Sequence, residues 1–223
     1  MCGRATLTAP AEVISDLFHV EVPDLLPRYN LAPTQDVLTI RAGSDSRPRE
    51  VAIARWGLMP LWARDPRVGA RYINARAESV FERSPFKEPL RHRRCLVVFD
   101  GFYEWKREGK KKIPFYVHMK SALPFACAGL WDSWRAPSGE RLESCTVLTT
   151  SANDLVGVIH HRMPSILHPD EYDGWLDPDE EEPDLGPVLR PYPASEMEMY
   201  EVSSRVNRWQ VDEPSCIAPV ARA

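Results

Sequence analysis

Short apolar runs, broken by prolines, glycines and charged residues, set the rhythm of this chain. DVLTI, EVAIARW, RCLVVF, PFYVHM, PFACAGL and SCTVLTT are rich in β-branched and aromatic residues and too short for helices, so they predict strands. EWKREGKKKIPFYV puts two such runs on either side of a polar loop containing Gly109, the pattern of a hairpin. One segment keeps a helical period instead. AEVISDLF, behind Pro10, brings Val13, Ile14, Leu17 and Phe18 to one face, with Thr8 as the expected cap. The 21 prolines fall mostly between these segments. The predicted class is α+β, dominated by a mixed or antiparallel sheet curled on itself.

Length and composition narrow the picture. The 223 residues fit one large domain, residues 1–223, and no second-domain signal interrupts them. No apolar run approaches the roughly 18 to 20 residues needed to cross a bilayer, and no secretory signal opens the chain, so a cytoplasmic protein is expected. Cys2, Cys95, Cys127, Cys145 and Cys216 are odd in number, widely spread and without a CxxC pair. That argues against a disulfide framework and a zinc site, and no metal or cofactor is expected. The net charge of −4 speaks at first against a nucleic-acid partner, but it averages two unlike parts. Residues 51–120 hold 16 Lys plus Arg against 7 Asp plus Glu, and the remainder 12 against 25. Much of the acid lies in HPDEYDGWLDPDEEEPDLG, which suits a solvated loop and short helix away from any polyanion. Charge alone leaves the basic part free to be a solvated face.

Candidate chemistry gathers in five stretches. MCGRAT places Cys2 directly behind the initiator methionine; once Met1 is removed, thiol and α-amine share one residue. Both groups titrate near neutrality, at roughly 8.5 and about 8, so modest perturbation makes either nucleophilic. RYNLAPT holds Asn30 and Thr34; RWGLMPLWARDPRVGARYINARAES holds Trp56, Trp62, Asn74, Arg76 and Glu78. DGFYEWK sets Glu104 between Tyr103 and Trp105, and TTSAND with VIHHRMPSIL supplies Thr149, Ser151, His160 and Arg162. Each has an ordinary explanation as well. Asn74 suits a helix cap, Glu104 a strand-surface ion pair, His160 a hydrogen-bonded interior histidine, and the tryptophans plain core.

In combination these motifs resemble one family. CGR, YNLAP, RWGLMPLW, INARAE, DGFYEW and IHHRMP follow in the order that marks the SRAP proteins, the SOS response associated peptidase domains that crosslink to abasic DNA. The likeness runs from Cys2 to about Pro214. It implies a bifurcated mixed sheet folded into a pseudo-barrel with a few peripheral helices, binding single-stranded DNA as a monomer and capturing the ring-opened aldehyde of an abasic site. Cys2 resembles the nucleophile; Asn74, Glu104 and His160 resemble its catalytic partners. Arg4, Arg76 and Arg162 look like phosphate contacts, with Asn30, Thr149 and Ser151 also on the DNA, and Trp62 looks like a stacking aromatic. The chain lacks the long tail of the animal members, which points to a bacterial type, nucleoid-associated when on DNA.

The chemistry of these residue types agrees. An amine condenses with an aldehyde to an imine, and a thiol two carbons away closes a thiazolidine. Glu104 and His160 are suitable proton carriers for opening the sugar and for an associated abasic-site lyase step, and Asn74 can orient the amine by hydrogen bonds. Two rivals stay open: an N-terminal-nucleophile cysteine peptidase or autoprocessing hydrolase, in which Cys2 attacks an amide and His160 assists, and a non-enzymatic single-strand binder.

Overall fold

A computed structural model describes residues 2–44 and 47–220. In chain order its elements are β1 (Ala5–Leu7), α1 (Ala11–Phe18), β2 (Arg28–Leu31), β3 (Asp36–Ser44), β4 (Arg47–Trp56), β5 (Asn74–Arg76), α2 (Lys87–His92), β6 (Arg94–Phe99), β7 (Gly101–Glu108), β8 (Lys111–Met119), β9 (Phe125–Arg135), β10 (Arg141–Ser151), α3 (Asp154–Gly157), β11 (Arg162–Pro164), β12 (Ile166–Leu167), α4 (Tyr172–Leu176), α5 (Gly186–Leu189) and β13 (Met197–Glu201). All six apolar runs lie in strands, and the predicted hairpin is β7–β8, paired from Gly101 opposite His118 to Glu108 opposite Lys111.

β10, β4, β3, β6 and β9 pair in a ring that closes where β9 meets β10, with Val147 opposite Gly129 and Arg141 opposite Arg135. Closure leaves no free edge among these strands. β6 is buried along its whole length, as a wall of a closed core must be, which explains why RCLVVF reads as an unbroken apolar run rather than an alternating one. The short β5 and β11 pair with β10, and β12 with β9. A second sheet runs in the order β13, β8, β7, β1, β2. The pseudo-barrel, with a mixed sheet divided in two and short helices around it, is the expected fold.

Two local expectations come out differently. Thr8 does not cap α1. Its backbone and hydroxyl, with Ala9 N–H, donate instead to the Asp100 carboxylate at 2.5, 2.8 and 2.9 Å, so the helix start is tied to the β6–β7 corner and Pro10 stands at the cap position. Asn74 caps no helix either; it opens β5, which runs parallel to β10 with Asn74 opposite Val147 and Arg76 opposite Thr149. Gly101, between Asp100 and Phe102, is required sterically, since a Cβ there would lie within the Tyr116 ring. HPDEYDGWL does form a short helix, α4, but Tyr172, Trp175 and Leu176 are buried beneath its acidic surface.

Candidate active site

The seam between the two sheets brings the candidate chemistry together. Cys2 leads into β1 of the second sheet and Glu104 lies within β7, two strands over which Ala5 faces Phe102. Asn74 and His160 arrive from the barrel side, one at the start of β5 and the other just before β11. Trp56 holds this approach in place: its ring is fully buried and its Nε1–H donates to Ile73 O at 2.9 Å, one residue before Asn74.

Cys2 has no exposed surface. Its carbonyl accepts from Asn74 Nδ2 at 2.6 Å, which fixes the backbone carrying the candidate nucleophile. Among the described residues, Asn74 Oδ1 is buried and accepts no hydrogen bond, which leaves an acceptor beside the head of Cys2. Burial first, and the nearby Glu104 second, push the Cys2 thiol far above its ordinary value, so it is protonated at neutral pH. Glu104 is itself buried, and desolvation raises its carboxyl against the opposing pull of nearby positive charge, His161 included. His160 Nδ1 lies 3.9 Å from Glu104 Oε1 and packs against the Arg162 backbone, 3.1 Å from its N–H. Burial lowers the His160 pKa. An acid moved up and a base moved down bring two proton-carrying groups closer in affinity, the arrangement that lets a proton pass between them.

The expected DNA contacts divide. Arg76 and Ser151 are exposed at the rim, and Arg76 is close enough to act electrostatically on exposed His161. His161 stacks on His160 with ring centres 4.6 Å apart. Arg162 is otherwise engaged. It is 8% exposed, and its guanidinium forks onto Glu78 with Nη1–Oε1 at 2.5 Å and Nη2–Oε2 at 2.9 Å, while Nη2 also donates to Thr149 O. Its charge is balanced within the protein, where it clamps the turn after β5 to the end of β10. Thr149 is fully buried with its hydroxyl on Ala75 O at 3.2 Å, and belongs to the same clamp. Asn30 is also fully buried; its Oδ1 accepts from Arg4 Nη1 at 2.8 Å and its Nδ2 faces three backbone carbonyls, so it supports the site without reaching solvent. Arg4 is half-buried and, among the described residues, holds neutral acceptors only, Asn30 Oδ1 and, at 2.6 Å, Val206 O. Trp62 is 61% exposed on the loop after β4, beside a cavity of about 380 Å³ that Lys87, Glu88, Arg93 and Asp132 also line. None of Cys2, Asn74, Glu104 or His160 lines that cavity.

Two basic groups near the cluster escaped the sequence reading. Arg107, exposed on β7, lies near enough to His160 to depress its pKa, and His161 adds a second imidazole. The signal for Arg107 was present in KREGKKK, where charge density masked it as hairpin loop. Among the described residues no group of three or more His, Cys, Asp or Glu is placed to hold a metal ion.

Comparison with known proteins follows the same outline. Residues 1–209 match the family model described as SOS response associated peptidase (SRAP). The chain is 43% identical over 224 residues to the abasic site processing protein YoqW of Bacillus subtilis, covering 97% of this chain and 99% of that one. It is 32% identical to the abasic site processing protein HMCES of Gallus gallus, over 87% of this chain and 66% of that protein. A crystal structure of a protein from Bacteroides thetaiotaomicron superposes with a TM-score of 0.88 at 28% identity, over 99% of this chain and 100% of that one.

Proposed function

The chain belongs to the SOS response associated peptidase (SRAP) family, and on that premise we propose that it binds single-stranded DNA and bonds covalently to abasic sites through Cys2 once Met1 is removed. Met1 itself lies outside the described residues. The observation that carries the proposal is the meeting of four residues from four separate segments: Asn74 on the Cys2 carbonyl, Glu104 acting on the Cys2 thiol, and His160 3.9 Å from Glu104. The names of the relatives, abasic site processing proteins, agree with it.

The thiol's raised pKa orders the steps. A protonated thiol is the poorer first nucleophile, so the α-amine attacks the aldehyde, forming a C–N bond and releasing water to leave an imine. Glu104 in its neutral form supplies the proton that helps open the sugar and expel water, and His160 returns it. The Cys2 sulfur then adds to the imine carbon as its proton passes to nitrogen, closing the thiazolidine. Asn74 Oδ1, a buried acceptor on the side chain that holds the Cys2 carbonyl, accepts a hydrogen bond from the attacking amine in this scheme. Arg4, Arg76 and Arg107 supply positive charge around the seam. A peptidase would use the same thiol, but a buried, protonated Cys2 is poorly prepared to attack an amide.

The test is direct. The purified protein is incubated with a uracil-containing single strand, with and without uracil glycosylase, and run on a denaturing gel. A shifted, heat-stable band only after glycosylase treatment is expected, and its loss when a residue precedes Cys2. A full-strength band from protein that mass spectrometry shows to retain Met1 ends the thiazolidine proposal.

A further inference from the structure

Asn30 and Arg4 hold a turn, and what that turn displays has no part in the chemistry above. Asn30 Nδ2 donates toward the carbonyls of Val206, Arg208 and Val211 at 3.2, 3.1 and 2.6 Å, and Arg4 Nη1 donates to Val206 O. Trp105 Nε1–H donates to Asn207 Oδ1 at 2.7 Å. Beneath the turn Val206 is fully buried with Tyr103 and Tyr116. A backbone fixed at so many points is rigid, yet it presents Trp209 51% exposed and Arg208 in solvent. An indole held half in water forgoes the stabilisation that its burial would bring, so core packing does not account for it. The charge here is also selective. Arg205 pairs with Glu213 at 2.7 Å and Arg28 with Asp212 at 2.6 Å, which neutralises both carboxylates, while Arg208 makes no ion pair among the described residues.

The turn adjoins the reacting cluster. Trp105, which holds Asn207, follows Glu104 in β7; Arg4, which holds Val206, is close behind Cys2, and its guanidinium lies 5.9 Å from the centre of the Trp105 ring. We propose that the segment around Arg208 and Trp209 is a second contact for single-stranded DNA, with Trp209 stacking on a base beside the lesion and Arg208 meeting the adjoining phosphate. The inference rests on the reading of the site as one for abasic DNA and extends it to nucleotides outside the reaction. A flat aromatic joined to an uncancelled cation is suited to a strand of any sequence, because every base has a face and every link a charge.

Binding of a labelled oligo-thymidine strand without an abasic site tests this separately from the covalent step. Trp209→Ala should weaken binding roughly tenfold and Trp209→Phe should recover most of it. Arg208→Ala should lower the slope of log affinity against log salt by about 0.7. All three variants should crosslink an abasic strand fully when DNA is saturating. Affinities within about twofold of wild type, with an unchanged salt slope, overturn the inference. If wild type still crosslinks abasic DNA in that case, the functional reading stands without it. If wild type neither binds the plain strand nor crosslinks, both fall.

Discussion

The seam has two walls, and each contains a partly buried arginine that does different work. On the barrel wall Arg162 is forked onto Glu78, so a positive and a negative charge cancel and the guanidinium serves as a brace. On the wall built from the second sheet Arg4 holds an amide oxygen, a peptide carbonyl and an aromatic face, none of them charged, so its charge persists while its geometry is equally fixed. An arginine in a groove is therefore not by itself a phosphate contact; what decides is whether the protein has already supplied the anion. The groups proposed to react are spread over both walls, with Cys2 and Glu104 on the sheet side and Asn74 and His160 on the barrel side. The neutralised brace lies wholly on the barrel wall, where it fixes the segments that carry Asn74 and His160 relative to each other.

The largest expected effect falls on the nucleophile proposed for the sheet wall. Cys2→Ala should abolish the heat-stable adduct altogether while leaving the α-amine able to form an imine. The imine should remain trappable by borohydride, and because it acidifies the neighbouring sugar carbon it should allow some strand cleavage by β-elimination. Adding Glu104→Gln should reduce that cleavage. Trapped adduct and cut strand, quantified side by side, check this. A Cys2→Ala protein that binds DNA normally but shows neither trapping nor cleavage would sink the amine-first order.

The brace comes next. Arg162→Ala should cost about 2 to 3 kcal/mol of stability in urea denaturation, below the usual 3 to 5 for a buried pair because the Glu78 side chain is 42% exposed. Its salt slope for single-strand binding should hardly change. Arg4→Ala and Arg76→Ala should behave in the opposite way on the second measure, each lowering the slope by about 0.7. If Arg162→Ala lowers the slope as much as Arg4→Ala and leaves stability intact, the two walls do not differ as argued.

What the sequence could disclose follows from distance along the chain. RCLVVF and SCTVLTT declare their strands because β-branched and aromatic runs carry that signal within a few residues. Cys2, Asn74, Glu104 and His160 became legible together only through the order of their motifs, since no spacing rule links residues on separate strands. The Arg162–Glu78 fork spans a separation of 84 residues, and the Asn30 contacts to the carbonyls near Val206 and Val211 span 176 and 181. Those partners are chosen by the fold, so an arginine in HHRMP and an asparagine in YNLAP looked alike as surface contacts until the chain was folded. Thr8 misled for the same reason: Pro10 takes the cap position, and the Thr8 hydroxyl instead donates to the carboxylate of Asp100, which is distant in the chain.

The smallest effect expected is also the one that tests whether the two walls share a proton. Burial raises the Glu104 pKa in the folded state above the roughly 4.3 of the unfolded chain. Below that value the group is neutral in both states and costs nothing. As pH rises through and above it, the unfolded chain loses the proton first, so the carboxyl increasingly penalises folding until its folded-state pKa is passed. Burial shifts His160 in the other direction, below the roughly 6.5 of an ordinary imidazole, so its penalty grows as pH falls through that value. Glu104→Gln should accordingly match wild type in thermal midpoint near pH 4 and exceed it by a few degrees at pH 7 to 8, whereas His160→Gln should gain on wild type toward pH 5. Midpoints measured across pH for wild type, both single variants and the double variant supply the check. Gains that add without interaction would mean that the two groups, 3.9 Å apart, titrate independently, and the exchange of a proton across the seam would have no support. A double variant whose pH profile departs from the sum would place the two titrations in one coupled pair, with its carboxyl on one wall and its imidazole on the other.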